Sequence, residues 1–416
     1  MMKKRLLMVG GWSDLYRAIK ALGFDLTVLQ NKEDIATDDV RLIDQLVTTI
    51  RGADEVVTIA RSLHAIRPFD AVVSFQEQGV LNAAKIGAEL GLLANPLGPV
   101  ALTRNKGLMR EHMAKGDFPS IPFGVVASGE EIRAFGAKVG YPIIVKPIEG
   151  LGSHHIKKLY SGDGANQALS EIRIDYPGVN PIAEKFVSGP EVSVEAISWN
   201  GVHEILAVTD KLHTGEPYFV EVGHTIPSRL PKETIDRIHE MTRLFLTSIG
   251  HQHGPTHTEI IVGESGPVII ESHTRAGGDR IFELVELTSG INMFEHMLRG
   301  LLGKSNETER QVSAGGAAIR YMHFSPGRVE EIVGLEDARQ CDGVIRLDLK
   351  VKNGDMLRPV TQSIERHGYV LAVGKDAEEA AARADAAVKK VRVVHTTESD
   401  VLGAETANAA EVSVAN

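Results

Sequence analysis

Residues 256–279 read THTEIIVGESGPVIIESHTRAGGD. Two apolar runs flank a turn from Val262 to Pro267 bounded by glycines, the pattern of a β-hairpin. Glu259 lies on the first run and Glu271 on the second. An antiparallel pairing that sets them directly opposite requires an odd-length loop or a bulge, and it puts both carboxylates on one face of the ladder. Like charges so placed repel, so a chain that keeps them there holds a cation between them. Hard oxygen ligands point to Mg²⁺, which takes one or two carboxylates together with the phosphates of a substrate. His273 shares the face of Glu271 by strand alternation and is a candidate third ligand or phosphate contact. Arg275 and Gly277-Gly278 follow as the strand gives way to a loop. The competing reading makes both glutamates solvent-facing residues of an amphipathic strand.

The remaining composition narrows the class. A length of 416 residues suggests two or three domains. A hydrophobic share of 43% with 24% charged residues is that of a globular protein. The net charge of −10 argues against a nucleic-acid partner, which calls for a basic surface. The single cysteine, Cys341, excludes an internal disulfide and a cysteine-based zinc site. The apolar run before Gly10 is too short for a secretory signal, and no run reaches the roughly 20 apolar residues of a membrane span. A cytoplasmic location and no membrane partner are expected.

Outward from the hairpin, the chain opens as β-α-β: a strand over residues 5–9, Gly10-Gly11, a helix over 12–22 and a strand over 25–29. The glycine pair lacks a full G-x-G-x-x-G and reads as a plain turn as readily as a nucleotide site. A strand over 71–75 ends at Gln76-Glu77-Gln78-Gly79. Ligands of open α/β sheets gather at such ends, which makes Glu77 a candidate for substrate contact or a helix cap. NPLGP at 95–99 reads as a linker, followed by one helix over 102–114 carrying Lys106 and Arg110 on one face. Lys146 ends the apolar strand of residues 141–147, and a buried lysine should face an anion. The glycine-rich loop of residues 149–155 can wrap a phosphate with its free N–H groups or simply close a hairpin.

Further on, Glu184, Lys185 and Val187 form an interdomain hinge, and Glu191 opens an alternating strand. Asp210 and Lys211 end the next one. Glu221 and His224 precede a helix over 232–249, and a lone histidine of this kind is often structural. Arg320 interrupts an apolar strand and should be paired. Residues 310–416 read as a small α+β domain containing the strand Gly368–Gly374 and a helix over 377–388, with 404–416 frayed.

The ordered set of a strand-end lysine, a glycine-rich loop, a hinge glutamate and paired strand glutamates resembles the ATP-grasp superfamily over residues 102–301. The resemblance implies an α/β and α+β multidomain chain: an N-terminal α/β, carboxylase-like domain (1–98), an ATP-grasp region (99–309, lid 118–186) and a C-terminal α+β domain (310–416). It places Lys106 and Lys146 at ATP phosphates and Gly150, Gly152 and Ser153 in the lid. Glu184, Lys185, Val187 and Glu191 hold adenine and ribose, and Glu259 and Glu271 hold magnesium, one or two ions with Mn²⁺ able to substitute. His273 stands where the superfamily commonly has Asn. TDK at 209–211, EVGHTIPS at 221–228 and ESHTRAGGD at 271–279 are similar to segments of L-amino-acid ligases. By that likeness Glu221, His224 and Gly278 contact amino-acid substrate, Lys211 lies near the phosphates and Arg275 beside the reacting carbonyl. The implied activity is an ATP-dependent acid–amino-acid ligase in dipeptide or peptide-antibiotic biosynthesis. Homodimers are a superfamily expectation. An acyl-phosphate ligase of nucleotide or cofactor metabolism and a silent ATP-binding regulator are the alternatives.

Overall fold

The computed structural model describes residues 3–49, 54–116, 118–150, 155–304 and 311–396. They fall into two compact units. The first comprises Met1–Glu149, Lys157–Asp210 and Ser228–Ser313, and the second Gly150–Ile156, Lys211–Pro227 and Ala314–Asn416. The expected frayed tail at 404–416 lies outside the described residues.

The first unit opens with parallel strands in the order Gln45–Thr48, Asp25–Gln30, Arg5–Val9, Ala71–Val73. The near-continuous apolar character of Arg5–Val9 and Ala71–Val73 suits strands covered on both faces, and Leu6 to Val9 are fully buried. The helix Glu77–Leu90 begins just past the C-terminal end of Ala71–Val73, so Glu77 stands at the carboxyl end of the sheet, where such folds bind ligands. A second layer has the order Phe123–Val125, Pro181–Lys185, Ile143–Pro147, Lys157–Leu159. The helices Gly129–Val139 and Ala165–Asp175 close its core through Ile132, Leu169 and Ile172. In a third layer Gly266–His273, Gly254–Gly263, Glu191–Trp199 and the strand Val202–His213 as far as Asp210 lie side by side. The helix Lys232–Ser248 seals its apolar face with Ile238, Phe245 and Leu246, each such side chain contributing about 1.5–3 kcal/mol on burial.

Two segments depart from the sequence reading. The expected linker at 95–99 already contains the start of the helix Leu97–Arg104. The single helix expected over 102–114 is two, because Asn105 is extended and its side chain accepts from Leu108 N, capping a new helix, Lys106–Lys115. Lys106 is thereby the first residue of a helix, with its N–H on Ile148 O at 3.0 Å.

The second unit pairs Glu221–Ile226, Gly316–Met322, Gly368–Gly374 and Val344–Leu349 in that order, all antiparallel. The helix Ala377–Lys390 packs Ala380, Ala381 and Ala384 onto Ala318 and Ala372. Alanines on both sides of this contact let helix and sheet approach closely.

Candidate active site

The hairpin Gly254–Gly263 and Gly266–His273 turns through Glu264-Ser265. A two-residue turn alone would set Glu259 opposite Ile270. A bulge between Glu259 and Ile260 instead pairs Ile260 with Ile269, leaves Ile270 unpaired, and sets Glu259 opposite Glu271 and His257 opposite His273. The consequence is a change of face: Ile269 is fully buried in the apolar core, while Glu271, two residues on, lies with Glu259. Arg110, fully buried, fastens the irregular backbone by donating to Ile269 O at 3.1 Å and Ile270 O at 2.6 Å. Its Nε donates to Glu184 at 2.6 Å.

Each of the opposed carboxylates meets a histidine that is itself held by a second glutamate. Nε2 of His257 lies 3.3 Å from Glu259, and its Nδ1 lies 2.8 Å from Glu195. Nε2 of His273 lies 3.2 Å from Glu271, and its Nδ1 lies 3.2 Å from Glu77. The two rings stack with centroids 6.1 Å apart. Lys106 Nζ approaches Glu271 to 2.9 Å. Burial opposes ionisation of Glu271, but Lys106 and His273 outweigh it and hold the carboxyl well below the usual carboxylate range. Burial likewise disfavours a charged His257, yet Glu195 and Glu259 push it up to about 9.

Glu77 is the hub on the other side. Arg104 Nη1 donates to Oε1 at 2.6 Å, and Arg275 Nε donates to Oε2 at 2.8 Å. Against the cost of burial, the hydrogen bond from His273 and the charges of Arg275, His273 and Arg104 bring its carboxyl down to about 2. Gln76, one residue earlier, is the N-cap position, and its side chain accepts from Gly11 N at 2.8 Å rather than from the helix.

Lys146 does face an anion: its Nζ is 2.8 Å from Glu184. Glu184, buried between Lys146 and Arg110, ionises easily despite burial, at about 2. Lys185 donates to Gly140 O at 2.9 Å, and Glu191 begins the strand that pairs with Ile261. Val187 and Gly278 both lie in loops, Gly278 O accepting from Ile281 N at 2.9 Å. Gly152 and Ser153 lie outside the described residues.

The structure places Lys211, Glu221 and His224 in the second unit. There Lys211 Nζ lies 2.8 Å from Glu221 Oε1, and Nε2 of the fully buried His224 lies 3.8 Å from Oε2. Arg320, expected to be paired, lies with its Nε 2.7 Å from Asp385 and its Nη1 3.1 Å from His224 O. Arg366 donates to Glu221 O at 3.0 Å and stacks 3.5 Å over Tyr321.

The donor set at the hairpin fits a hard divalent cation, since both directly opposed acceptors are carboxylate oxygens and each is partly accessible, with side-chain exposures of 21% and 16%. Sequence reasoning missed Glu195, His257, Arg104 and the capping role of Asn105. Strand alternation could have found His257, two residues before Glu259. Glu195 and Arg104 carry no local signal, because only the fold brings them to the hairpin.

Residues 16–92 match the ATP-grasp N-terminal domain, 139–283 the ATP-grasp domain and 320–396 the L-amino acid ligase C-terminal domain 2. The chain is 24% identical over 397 residues to dapdiamide A synthase of Enterobacter agglomerans, covering 89% of this chain and 92% of that one. It is 25% identical over 305 residues to the L-arginine-specific L-amino acid ligase of Bacillus subtilis, covering 70% and 72%. An uncharacterized protein of Sinorhizobium fredii is 24% identical over 273 residues, and there the match spans 56% of the relative's length. The fold superposes on an L-amino acid ligase from Bacillus licheniformis with a TM-score of 0.81 at 22% identity, covering 95% of this chain and 99% of that one. For biotin carboxylase of Campylobacter jejuni the TM-score is 0.69 at 18% identity, covering 94% and 92%.

Proposed function

We propose, for a chain that carries ATP-grasp domains together with an L-amino acid ligase C-terminal domain, that it is an ATP-dependent ligase. It joins the carboxylate of one amino acid or acyl-diamino acid to the amine of another, releasing ADP and phosphate, in dipeptide or peptide-antibiotic biosynthesis. The observation that carries this reading is the direct opposition of Glu259 and Glu271 beside Lys106, with Arg275 held on Glu77.

A carboxylate does not exchange its oxygen for an amine at neutral pH, because oxide is too poor a leaving group. Phosphorylation of the carboxylate by ATP supplies a good one, and catalysis of that transfer is mostly positioning and charge neutralisation. Glu259 and Glu271 are the residues to hold Mg²⁺, which when bound neutralises phosphate charge; His273 is a further candidate, and Mn²⁺ is a candidate substitute. Lys106, Lys146 and Lys211 are cations for the phosphates, and Gly152 and Ser153 belong to the lid that excludes water from the acyl phosphate. Glu184, Lys185, Val187 and Glu191 line the adenosine. Glu221, His224, Gly278 and Glu77 recognise amino-acid substrate. Attack by the neutral amine builds an oxyanion, and Arg275 can donate to it without losing its own proton.

The test is phosphate release over a matrix of amino-acid and acyl-amino-acid pairs, with mass spectrometry of the product. A condensed amide with ADP supports the reading. AMP with pyrophosphate, or nucleotide binding with no phosphate release for any pair, overturns it.

A further inference from the structure

Glu195 sits in the middle of the strand Glu191–Trp199 with no exposed surface, opposite His257 in the ladder. A carboxylate there is expensive, and among the described residues it hydrogen-bonds to no group assigned above to nucleotide or amino acid. Its oxygens are instead committed to two neighbours. Ser193 Oγ donates to Oε1 at 2.7 Å, and His257 Nδ1 lies 2.8 Å from Oε1 and 3.1 Å from Oε2. Carboxylate oxygens only accept, so Nδ1 of His257 donates to Glu195 and Nε2 is aimed at Glu259, 3.3 Å away. Gly277 packs against this pair: a Cβ at that position would stand 2.8 Å from His257 Nδ1 and 3.2 Å from Glu195 Oε2. A side chain at 277 would therefore displace the ring or the carboxylate.

We propose that Glu195 and His257 are positioning residues that fix the carboxylate of Glu259 in the orientation in which it receives a divalent cation. The inference rests on the assignment of Glu259 and Glu271 as the cation-holding pair. The same construction recurs across the ladder, where Glu77 holds His273 against Glu271, and His257 and His273 are themselves register partners. A carboxylate on a strand face has free side-chain torsions, and a ligand that must be ordered on binding costs affinity. A histidine locked by a buried acid removes that cost, and partners of this kind are worth about 10–100-fold in metal affinity.

The experiment is titration of the full chain with Mn²⁺, followed by water-proton relaxation, beside binding of a fluorescent ATP analogue in EDTA. His257→Phe keeps the ring and removes both donors. It should weaken Mn²⁺ about tenfold or more and leave metal-free nucleotide binding unchanged. His257→Gln, which restores one N–H toward Glu259, should recover part of the loss. Glu195→Gln, nearly isosteric, gives a second route if the Phe variant does not fold, and should also weaken Mn²⁺. Folded variants whose Mn²⁺ affinity stays within about twofold of the wild type, a change well below the expected loss, would overturn the inference while leaving the carboxylate pair standing. A wild-type chain that binds no Mn²⁺ would overturn both.

Discussion

Nε of Arg275 donates to Oε2 of Glu77 at 2.8 Å, joining residues 198 positions apart in the sequence. The same oxygen lies 3.2 Å from His273 Nδ1, so one buried carboxylate orients both the arginine and the histidine that touches Glu271. Removing Arg275 and removing its anchor should therefore have graded effects. Arg275→Ala should lower kcat/KM by about 10²-fold through loss of the oxyanion donor. Glu77→Gln should lower it less, since the guanidinium remains but is no longer held. Phosphate release with the best amino-acid pair checks both, and normal turnover in the alanine variant would remove the assigned role.

Glu259 and Glu271 are register partners, whereas Glu264 at the tip of the same hairpin is exposed. Glu259→Gln and Glu271→Gln should each cut ATP-dependent turnover by roughly 10²-fold or more, the scale of losing an electrostatic element of the site. Glu264→Gln should leave turnover unchanged. A hairpin that merely presents solvent-facing acids would show three equal variants.

The Glu184 carboxylate, caught between Lys146 and Arg110, sits at about 2 against an ordinary 4.5. A depressed acid contributes stability that is fully present above about 4.5 and is lost as pH falls from there through about 2. The contribution is on the order of 3 kcal/mol. Glu184→Gln should cost about 3–5 kcal/mol at pH 7, because two cations lose their buried partner. It should also flatten stability against pH below about 4.5, the ordinary carboxylate range. Urea unfolding at a series of pH values reads both effects.

His251 is fully buried, and burial, aided by His203 and His253 and opposed by a bond with Gly254 O, brings it down to about 3. The folded chain therefore keeps this imidazole neutral while the unfolded chain protonates it near 6.5. Stability from this group is present above that value and is lost as pH falls toward about 3. His251→Leu should show a shallower loss of unfolding free energy between about pH 6.5 and 5, the range in which a free histidine takes its proton. An unchanged slope would mean that the ring is accessible in the fold.

Much of this site is written into local sequence. The hairpin, the strand-end lysine and the helix Lys232–Ser248 follow from alternation, glycine punctuation and helical spacing, which are properties of neighbours along the chain. Arg320 announced itself as a charge in an apolar strand and is paired with Asp385. The break at Asn105 was harder to see. Asn favours N-caps over helix interiors, and its side chain does cap the second helix, but the apolar spacing runs on across it, and the bond between Lys106 N and Ile148 O comes from a distant strand end.

By itself the sequence determined that two acids flank one tight turn, since residue order alone sets that spacing. Whether they face each other was decided by the tertiary structure. The two-residue turn gives the wrong parity, and the bulge at Ile270 that corrects it is held by a buried guanidinium from the helix Lys106–Lys115. The partners of the flanking histidines were settled in the same way: Glu195 and Glu77 come from distant segments. A buried charge finds its counter-charge through packing in three dimensions, and no pattern of neighbouring residues encodes that.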